Sequence, residues 1–378
     1  MTQSSTQDPT LDFTSVGPQS LAGAYLRRFW QPVYLSRNLK LNRAVPLKIL
    51  GDEFTLYRDA AGVAHVVGAF CPHRNTRLSI GIVDGESIRC FYHGWKFHHS
   101  GKCTEQPAED GFVGSHSIES YPTFEYIGLV FCYFGPGDPP ERPRFDVFAS
   151  DAYIDVDESI RNWTFFDQLE NSVDEVHFNF VHRRSKFTDV GLNREIPRLS
   201  AEETEYGILR IGRRGDKVRH SHILMPNCMY SMVFEPYKGW VEHLAWRVPI
   251  DENTHVSFMV EAIHLSGSDL DKCLETIEKN HHTLSDLPSA EEMIKKCLNG
   301  ELHVDEIEGR PDIVLLQDGV AMGALRRPRD RSQDFLTSSD RQVSLLRRLW
   351  RRELSLLNDN QAIKIWRVPP ELVPTSGT

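Results

Sequence analysis

The alternation of apolar and polar positions divides this chain into stretches of different texture. The first dozen residues are polar and predict a frayed start. Leu21–Trp30 has the spacing of a short helix, which Pro32 would end. From Pro32 to Phe134 the apolar runs shorten to strand length: Leu47–Leu50, Phe54–Arg58, Ala64–Gly68, Ser87–Phe91 and Leu129–Phe134, separated by Gly, Asp and Pro. That texture predicts a small antiparallel β domain. Residues 135–146, GPGDPPERPRFD, are polar and Pro-rich and read as a linker, so the expected domains are 1–140 and 141–378. Beyond the linker, Phe165–His182 reads as a helix of mixed polarity, and residues 203–263 alternate as a set of antiparallel strands. Helical texture returns at Asp269–Asn280, Pro311–Leu325 and Asp340–Ser355. The second domain is therefore expected to be α+β, with helices flanking a central antiparallel sheet.

Composition narrows the function classes. A chain with 40% hydrophobic and 25% charged residues is an ordinary globular protein. Its net charge of -10 weighs against nucleic-acid binding, which favours a basic excess. The N-terminus lacks the basic and apolar regions of a secretory signal, and no apolar run approaches the ~18 residues of a membrane span. The expected location is cytoplasmic, with no membrane partner. In a reducing compartment the seven cysteines serve metal binding or burial rather than disulfides. Cys103, Cys132, Cys228, Cys273 and Cys297 have no partner motif and are expected in the core.

The remaining two cysteines sit beside histidines. The text CPHRNTRLSIGIVDGESIRCFYHGWKF holds Cys71-x-His73, then Cys90-x-x-His93. Each short segment offers one thiolate and one imidazole. A Rieske [2Fe–2S] centre needs two cysteines on one iron and two histidines on the other, which two such loops would supply. Zinc also accepts two Cys and two His, but usual zinc fingers present a Cys pair followed by a His pair, whereas each pair here is mixed.

A second constellation lies in QLENSVDEVHFNFVH, residues 168–182, with Asn171, Asp174, His177 and His182. At ~100° per residue, Asp174 and His177 would lie about 60° apart on one helix face, and His177 and His182 about 140° apart. Both histidines reach one metal only if the helix distorts or ends near Phe178–Val181. Two histidines plus a carboxylate, with open positions, is the ligand set of non-haem Fe(II) oxygenases.

The Cys/His segment resembles the Rieske domain of the ring-hydroxylating oxygenases. Upstream, Val16–Gly17–Pro18 and the run Arg27–Val33 resemble the start of the phthalate 4,5-dioxygenase and aromatic O-demethylase group, and downstream GKCTEQPAED and Gly128–Pro136 also match. Two positions depart from the pattern: Asn75 replaces a usual small residue, and Phe91 a frequent Pro. The family's Asn-x-x-Asp-x-x-His-x4-His is present in full from Asn171 to His182. The resemblance implies that Asp174 bridges a Rieske histidine of a neighbouring subunit to His177, and is not itself an iron ligand. Asp318, in a tail that resembles the same group through its Gln–Asp pair, Asp330–Arg331–Ser332 and Ser339–Asp340, is the implied third ligand; Asp312 and Asp359 are the alternatives.

The resemblance further implies a [2Fe–2S] cluster, Fe(II), a homotrimer arranged head to tail, and electrons from an NAD(P)H-dependent reductase, with or without a ferredoxin. The implied reaction is O2-dependent hydroxylation or oxidative demethylation of an aromatic or other cyclic substrate. The competing functions are a Rieske electron carrier without oxygenase activity and a zinc module. Asn171 is expected to shape the iron site by hydrogen bonding. Met225, Asn227, Met229, Phe234, His243 and Trp246 are candidate pocket residues on strands. Arg198, Arg210 and Arg219 are candidate partners for a substrate carboxylate, against the plainer reading of solvated arginines. Arg347–Arg348 and Arg351–Arg352 read as a polar helix face, with a subunit contact as the alternative.

Overall fold

The structure, a computed structural model, describes residues 12–109, 115–369 and 372. The polar start at residues 1–11 and Asp110 of GKCTEQPAED lie outside the described residues. Before residue 135 the strands are β1 (Gln31–Leu35), β2 (Arg43–Ile49), β3 (Asp52–Arg58), β4 (Ala64–Gly68), β5 (Ile82–Asp84), β6 (Ser87–Arg89), β7 (Lys96–His98), β8 (Cys103–Glu105), β9 (Ser120–Tyr121), β10 (Thr123–Tyr126) and β11 (Leu129–Cys132). They form three antiparallel sheets, ordered β1–β11–β10, β2–β3–β4–β9 and β5–β6–β7–β8.

The rest of the chain is built on one seven-stranded antiparallel sheet. Its strands are β12 (Tyr153–Arg161), β13 (Arg198–Glu203), β14 (Gly207–Arg214), β15 (Lys217–Leu224), β16 (Cys228–Glu235), β17 (Gly239–Pro249) and β18 (His255–Ile263), in the order β12–β18–β17–β16–β15–β14–β13. The helices are α1 (Leu21–Arg27), α2 (Phe165–Val173), α3 (His177–Phe180), α4 (Gly267–Asp286), α5 (Ala290–Leu298), α6 (Ile313–Gly323) and α7 (Arg341–Asn358). The protein is thus an N-terminal assembly of antiparallel sheets followed by an α+β unit. The alternation of 203–263 anticipated five of the seven strands; β12 and α5 had no separate reading. Among the described residues no helix is long and apolar enough to cross a membrane.

Successive side chains on a strand point to opposite faces, and here the two faces have different tasks. Leu244, Trp246 and Val248 pair across strands with Val260, Phe258 and Val256, all buried. This apolar face meets the N-terminal sheets: Phe131 of β11 and Phe145 stand edge-on to Trp246, with ring centroids 5.6 and 6.1 Å away. Each such side chain fully withdrawn from water stabilises by ~1.5–3 kcal/mol. Asn227 donates to Gln31 Oε1 across the same junction at 2.9 Å. The opposite face carries Arg247, Ser257 and Ser159 in one cross-strand row, with Arg210 further along. Helix α2 lies on this polar face, because the Ser172 carbonyl accepts from Arg210 Nη1 at 2.8 Å. The small helix α1 packs on α7 through Tyr25 and Trp350, with centroids 5.0 Å apart. It ends at Arg27, ahead of Pro32, because Gln31 has already joined β1.

Candidate metal centres

The two Cys/His loops are built by the same pair of backbone bonds. Asn75 N–H donates to the Cys71 carbonyl at 2.9 Å, and Gly94 N–H to the Cys90 carbonyl at 3.1 Å. Cys71 N–H then donates to Thr76 O at 2.9 Å, and Cys90 N–H to Trp95 O at 2.8 Å. Both turns require a left-handed residue four positions after the cysteine, filled by Asn75 (φ 54) and Gly94 (φ 75). Asparagine tolerates that conformation better than other side chains, which accounts for the unusual residue at 75.

The loops bring their polar groups together. Cys71 and Cys90 are buried, and close enough to interact; burial, then the neighbouring thiols, push the Cys71 thiol up to about 11. Such a thiol stays protonated unless a metal or another positive charge stands beside it. The rings of His73 and His93 lie 4.5 Å apart toward solvent, and Trp95 stacks on His73 at 4.8 Å. Two buried sulfurs under two outward imidazoles fit the donor set of a [2Fe–2S] cluster. Behind them Tyr57, Val67, Leu78, Ile88 and Phe97 form a small core separate from the main one.

The second centre departs from the expected helix. Helix α2 starts at the N-cap Thr164, whose hydroxyl accepts from Asp167 N–H at 3.0 Å, and it stops at Val173. Asp174 is extended (φ -75, ψ 128), and its Oδ1 accepts from Val176 N–H at 2.8 Å. Asp174 and His177 therefore do not share one helix face; the break falls before His177 rather than near Phe178–Val181. The cause is the Asx turn at Asp174, together with Glu175, drawn inward to Arg214 at 2.7 Å. Glu175 rests on Gly212, where any Cβ would come within 2.4 Å of its carboxylate.

After this break α3 presents His177, and the following turn presents His182. Their Nε2 atoms lie 3.8 and 3.2 Å from Oδ1 of Asp318 on α6. A first-row metal bonds N and O at about 2.0–2.2 Å, so donors on one ion stand about 3–4 Å apart. Gln317 Oε1 accepts from His182 Nδ1 at 2.9 Å, which leaves the Nε2 lone pair facing the carboxylate. Two facing lone pairs need a cation between them. Without metal a proton must serve: burial works against a charged His182, but Asp318 outweighs it and its pKa is raised. Burial likewise opposes the charge on Asp318, yet the histidines hold its carboxyl at about 2. Oδ1 of Asp318 and Nδ1 of His177 are buried without a hydrogen-bond partner. Asn171 lies beside Asp318 and interacts with its carboxylate. The residues thus fit a mononuclear metal of the two-histidine, one-carboxylate kind.

The alternatives to Asp318 are spent or remote. Asp312 is held by Arg310 at 2.8 Å, and Asp359 is exposed at the end of α7. Helix α2 is buried along its whole length, polar residues included. Asp167 binds Arg327 and Arg331, each at 2.6 Å, and Glu170 binds Arg331 at 3.1 Å and Arg347. Arg347 is thus no part of a merely polar helix face; it turns inward to hold α2. The signal in the sequence was the Asp167–Glu170 spacing, which places two acids on one helix face.

The other expectations divide. Arg210 and Arg219 are buried, not solvated, and Arg198 is exposed. Arg210 bonds the Ser172 carbonyl and Gln342, and Arg219 bonds the Met232 carbonyl beside Glu175, so neither is free for substrate. Asn227 is occupied by Gln31 and the Arg247 carbonyl, and Trp246 faces the N-terminal sheets; Met229 and His243 lie on the polar face. Cys103, Cys132, Cys228 and Cys273 are buried, and Cys297 half-buried, all without disulfides.

Comparison with known proteins agrees with this architecture. Residues 29–122 match the Rieske [2Fe-2S] domain. The chain is 26% identical over 356 residues to the 5,5'-dehydrodivanillate O-demethylase oxygenase subunit of Sphingobium sp., covering 91% of this chain and 79% of that protein. Its fold resembles Pseudomonas putida CBB5 NdmA, a mutant with caffeine, at TM-score 0.69 and 19% identity over 89% of this chain and 92% of that one. It also resembles the oxygenase in the reduced complex with ferredoxin of carbazole 1,9a-dioxygenase, at TM-score 0.62 and 19% identity over 94% and 93%.

Proposed function

From the premise that this chain is an oxygenase component of the Rieske non-haem iron type, we propose that Cys71, His73, Cys90 and His93 hold its cluster and that His177, His182 and Asp318 hold its mononuclear iron. When bound, the cluster supplies single electrons and the iron supplies O2 activation. The activity is O2-dependent hydroxylation or demethylation of a cyclic organic substrate, with electrons from a reductase or ferredoxin. The observation that carries the residue assignment is the His182 lone pair aimed at Asp318, with Gln317 holding the opposite nitrogen. A pure electron carrier would have no use for that arrangement.

Within the site, Gln317 fixes the tautomer of His182, and Asn171 steadies Asp318. Asp174 is the link toward the cluster. Its own contacts leave one carboxylate oxygen uncommitted among the described residues, because only Val176 N–H is bonded to Oδ1.

The electron path runs between subunits. Within one chain the seven-stranded sheet stands between the N-terminal sheets, on its apolar face, and α2, on its polar face. Around the cluster histidines Ile80, Ile82, Phe91 and Tyr92 are exposed. An apolar rim of that kind suits a subunit contact, and a head-to-tail trimer would seat it beside a neighbour's Asp174. Asp318→Ala tests the iron assignment. It is expected to lower iron from about three to about two per chain and abolish turnover, with the visible spectrum of the cluster retained. Surviving turnover would sink the assignment.

A further inference from the structure

The polar face of the large sheet contains a group of buried atoms that nothing in the protein satisfies. Arg247, Ser257 and Ser159 stand side by side across β17, β18 and β12, and His255 and Arg161 form the next row. Nε of both arginines, Oγ of both serines and Nε2 of His255 are buried without a hydrogen-bond partner. Buried polar atoms are nearly always paired, so the four open donors, Nε of the two arginines and Oγ of the two serines, point to a missing acceptor.

The charge is unbalanced as well. Among the described residues the Arg161 side chain makes no hydrogen bond or ion pair, only a contact with the Trp163 ring at 5.8 Å. Arg247 has one long bond, from Nη2 to Ser172 Oγ at 3.4 Å. The two guanidiniums lie near enough to repel one another; the carboxylate that both sense is Asp318, and Arg161 also senses Asp157 and Asp312 without pairing with either. Elsewhere on this face the arginines have charge or hydrogen-bond partners, since Arg214 and Arg219 share Glu175 and Arg210 has a carbonyl, although Nη2 of Arg214 and Nε of Arg219 are likewise without a hydrogen-bond acceptor. Two unpaired buried cations are costly unless an anion arrives. His255 donates its Nδ1–H to the Trp163 carbonyl at 2.8 Å, so its Nε2 is a bare acceptor among donors.

We propose that Arg161 and Arg247 bind a carboxylate of the substrate, with the hydroxyls of Ser159 and Ser257 as further donors, so that the enzyme acts on cyclic organic acids. A guanidinium fork matches a carboxylate, and two of them beside Asp318 would hold the acid end while the ring faces the iron site. The inference rests on Asp318 marking the oxygenation centre.

Its test is calorimetric titration of the anaerobic, metal-loaded enzyme with benzoate, benzamide and inorganic phosphate, together with melting curves. Benzoate is expected to bind at least ~30-fold more tightly than benzamide and to raise Tm. Arg161→Gln and Arg247→Gln should each weaken benzoate ~10–100-fold, and Arg161→Lys less. Without ligand, Arg161→Gln should melt at or above the wild-type temperature, since it removes an uncompensated buried charge. Equal affinity for benzoate and benzamide, unchanged affinity in the glutamine variants, or a ligand-free Tm lowered in both would overturn the proposal. Phosphate binding as tightly as benzoate and competing with it would assign the site to a free anion and overturn the substrate role. The binding readout needs no turnover. Arginine-dependent benzoate binding without O2 consumption would therefore fault the oxygenase reading alone.

Discussion

At the cluster loops the backbone bonds that close each turn are local. Asn75 closes on Cys71 and Gly94 on Cys90, each within four residues, and the loops share a small core of their own. At the histidine–carboxylate centre almost nothing is local. Asp318 arrives from α6, Gln317 reaches back 135 residues to His182, and α2 is clamped by arginines at 327, 331 and 347. The first centre is a pair of hairpins that needs little from the rest of the chain. The second exists only when the large sheet, α2, α6 and the C-terminal arginines have all assembled. The contrast predicts that distant substitutions will empty the iron site while leaving the cluster intact.

The largest expected effect comes from the clamp. Asp167 has no solvent-exposed side-chain surface and holds both Arg327 and Arg331. Asp167→Ala would leave Arg327 without its carboxylate and Arg331 with Glu170 alone, a loss of about 3 kcal/mol, at the low end for a buried pair because Arg327 is partly in water and Arg331 keeps one partner. Global Tm should fall by several degrees and mononuclear iron should be lost, with the cluster spectrum kept in the protein that remains folded. If the cluster is lost in step with the iron, the two centres are not independent and the contrast fails.

The same contrast explains what the sequence makes legible. Cys71, His73, Cys90 and His93 lie within 23 consecutive positions of the sequence, so their spacing alone describes a shared site. His177 and His182 are also readable, but the break at Asp174 is not. It depends on Glu175 finding Arg214 on β14, and helix periodicity carries no term for such a partner. Arg161 and Arg247 were invisible for a related reason. Each sits at the end of an alternating strand, and alternation does not say which face is core. Only the register of β12, β18 and β17 brings them together. Arg347 was misread because the polar side of an amphipathic helix can face buried acids as well as water.

A subtler probe separates holding the iron ligands from orienting them. Gln317 accepts the Nδ1 proton of His182, and removing that acceptor frees the ring to change tautomer. Gln317→Leu preserves approximate volume and should weaken Fe(II) affinity ~10–100-fold, seen as iron lost during dialysis against a chelator. Iron content should recover in excess Fe(II), which a folding defect would not allow. Unaltered affinity would mean that the tautomer is fixed by something other than this bond.

The smallest expected effect is at the cluster loops, where the backbone alone is at issue. Asn75 occupies the left-handed conformation that Gly94 fills in the twin loop. Asn75→Ala would keep the β-carbon but remove the short polar side chain that lets asparagine accept the left-handed conformation, at a cost of about 1 kcal/mol. Asn75→Gly should cost less than Asn75→Ala and make the two loops equivalent. The measurement is Tm, with the visible spectrum read during heating, since the strain sits beside Cys71. The expected order of cluster loss is alanine variant first, with the glycine variant and wild type close together. An alanine variant as stable as wild type would mean that the loop is held by the cluster rather than by its own backbone, which is the one result that would make the first centre resemble the second.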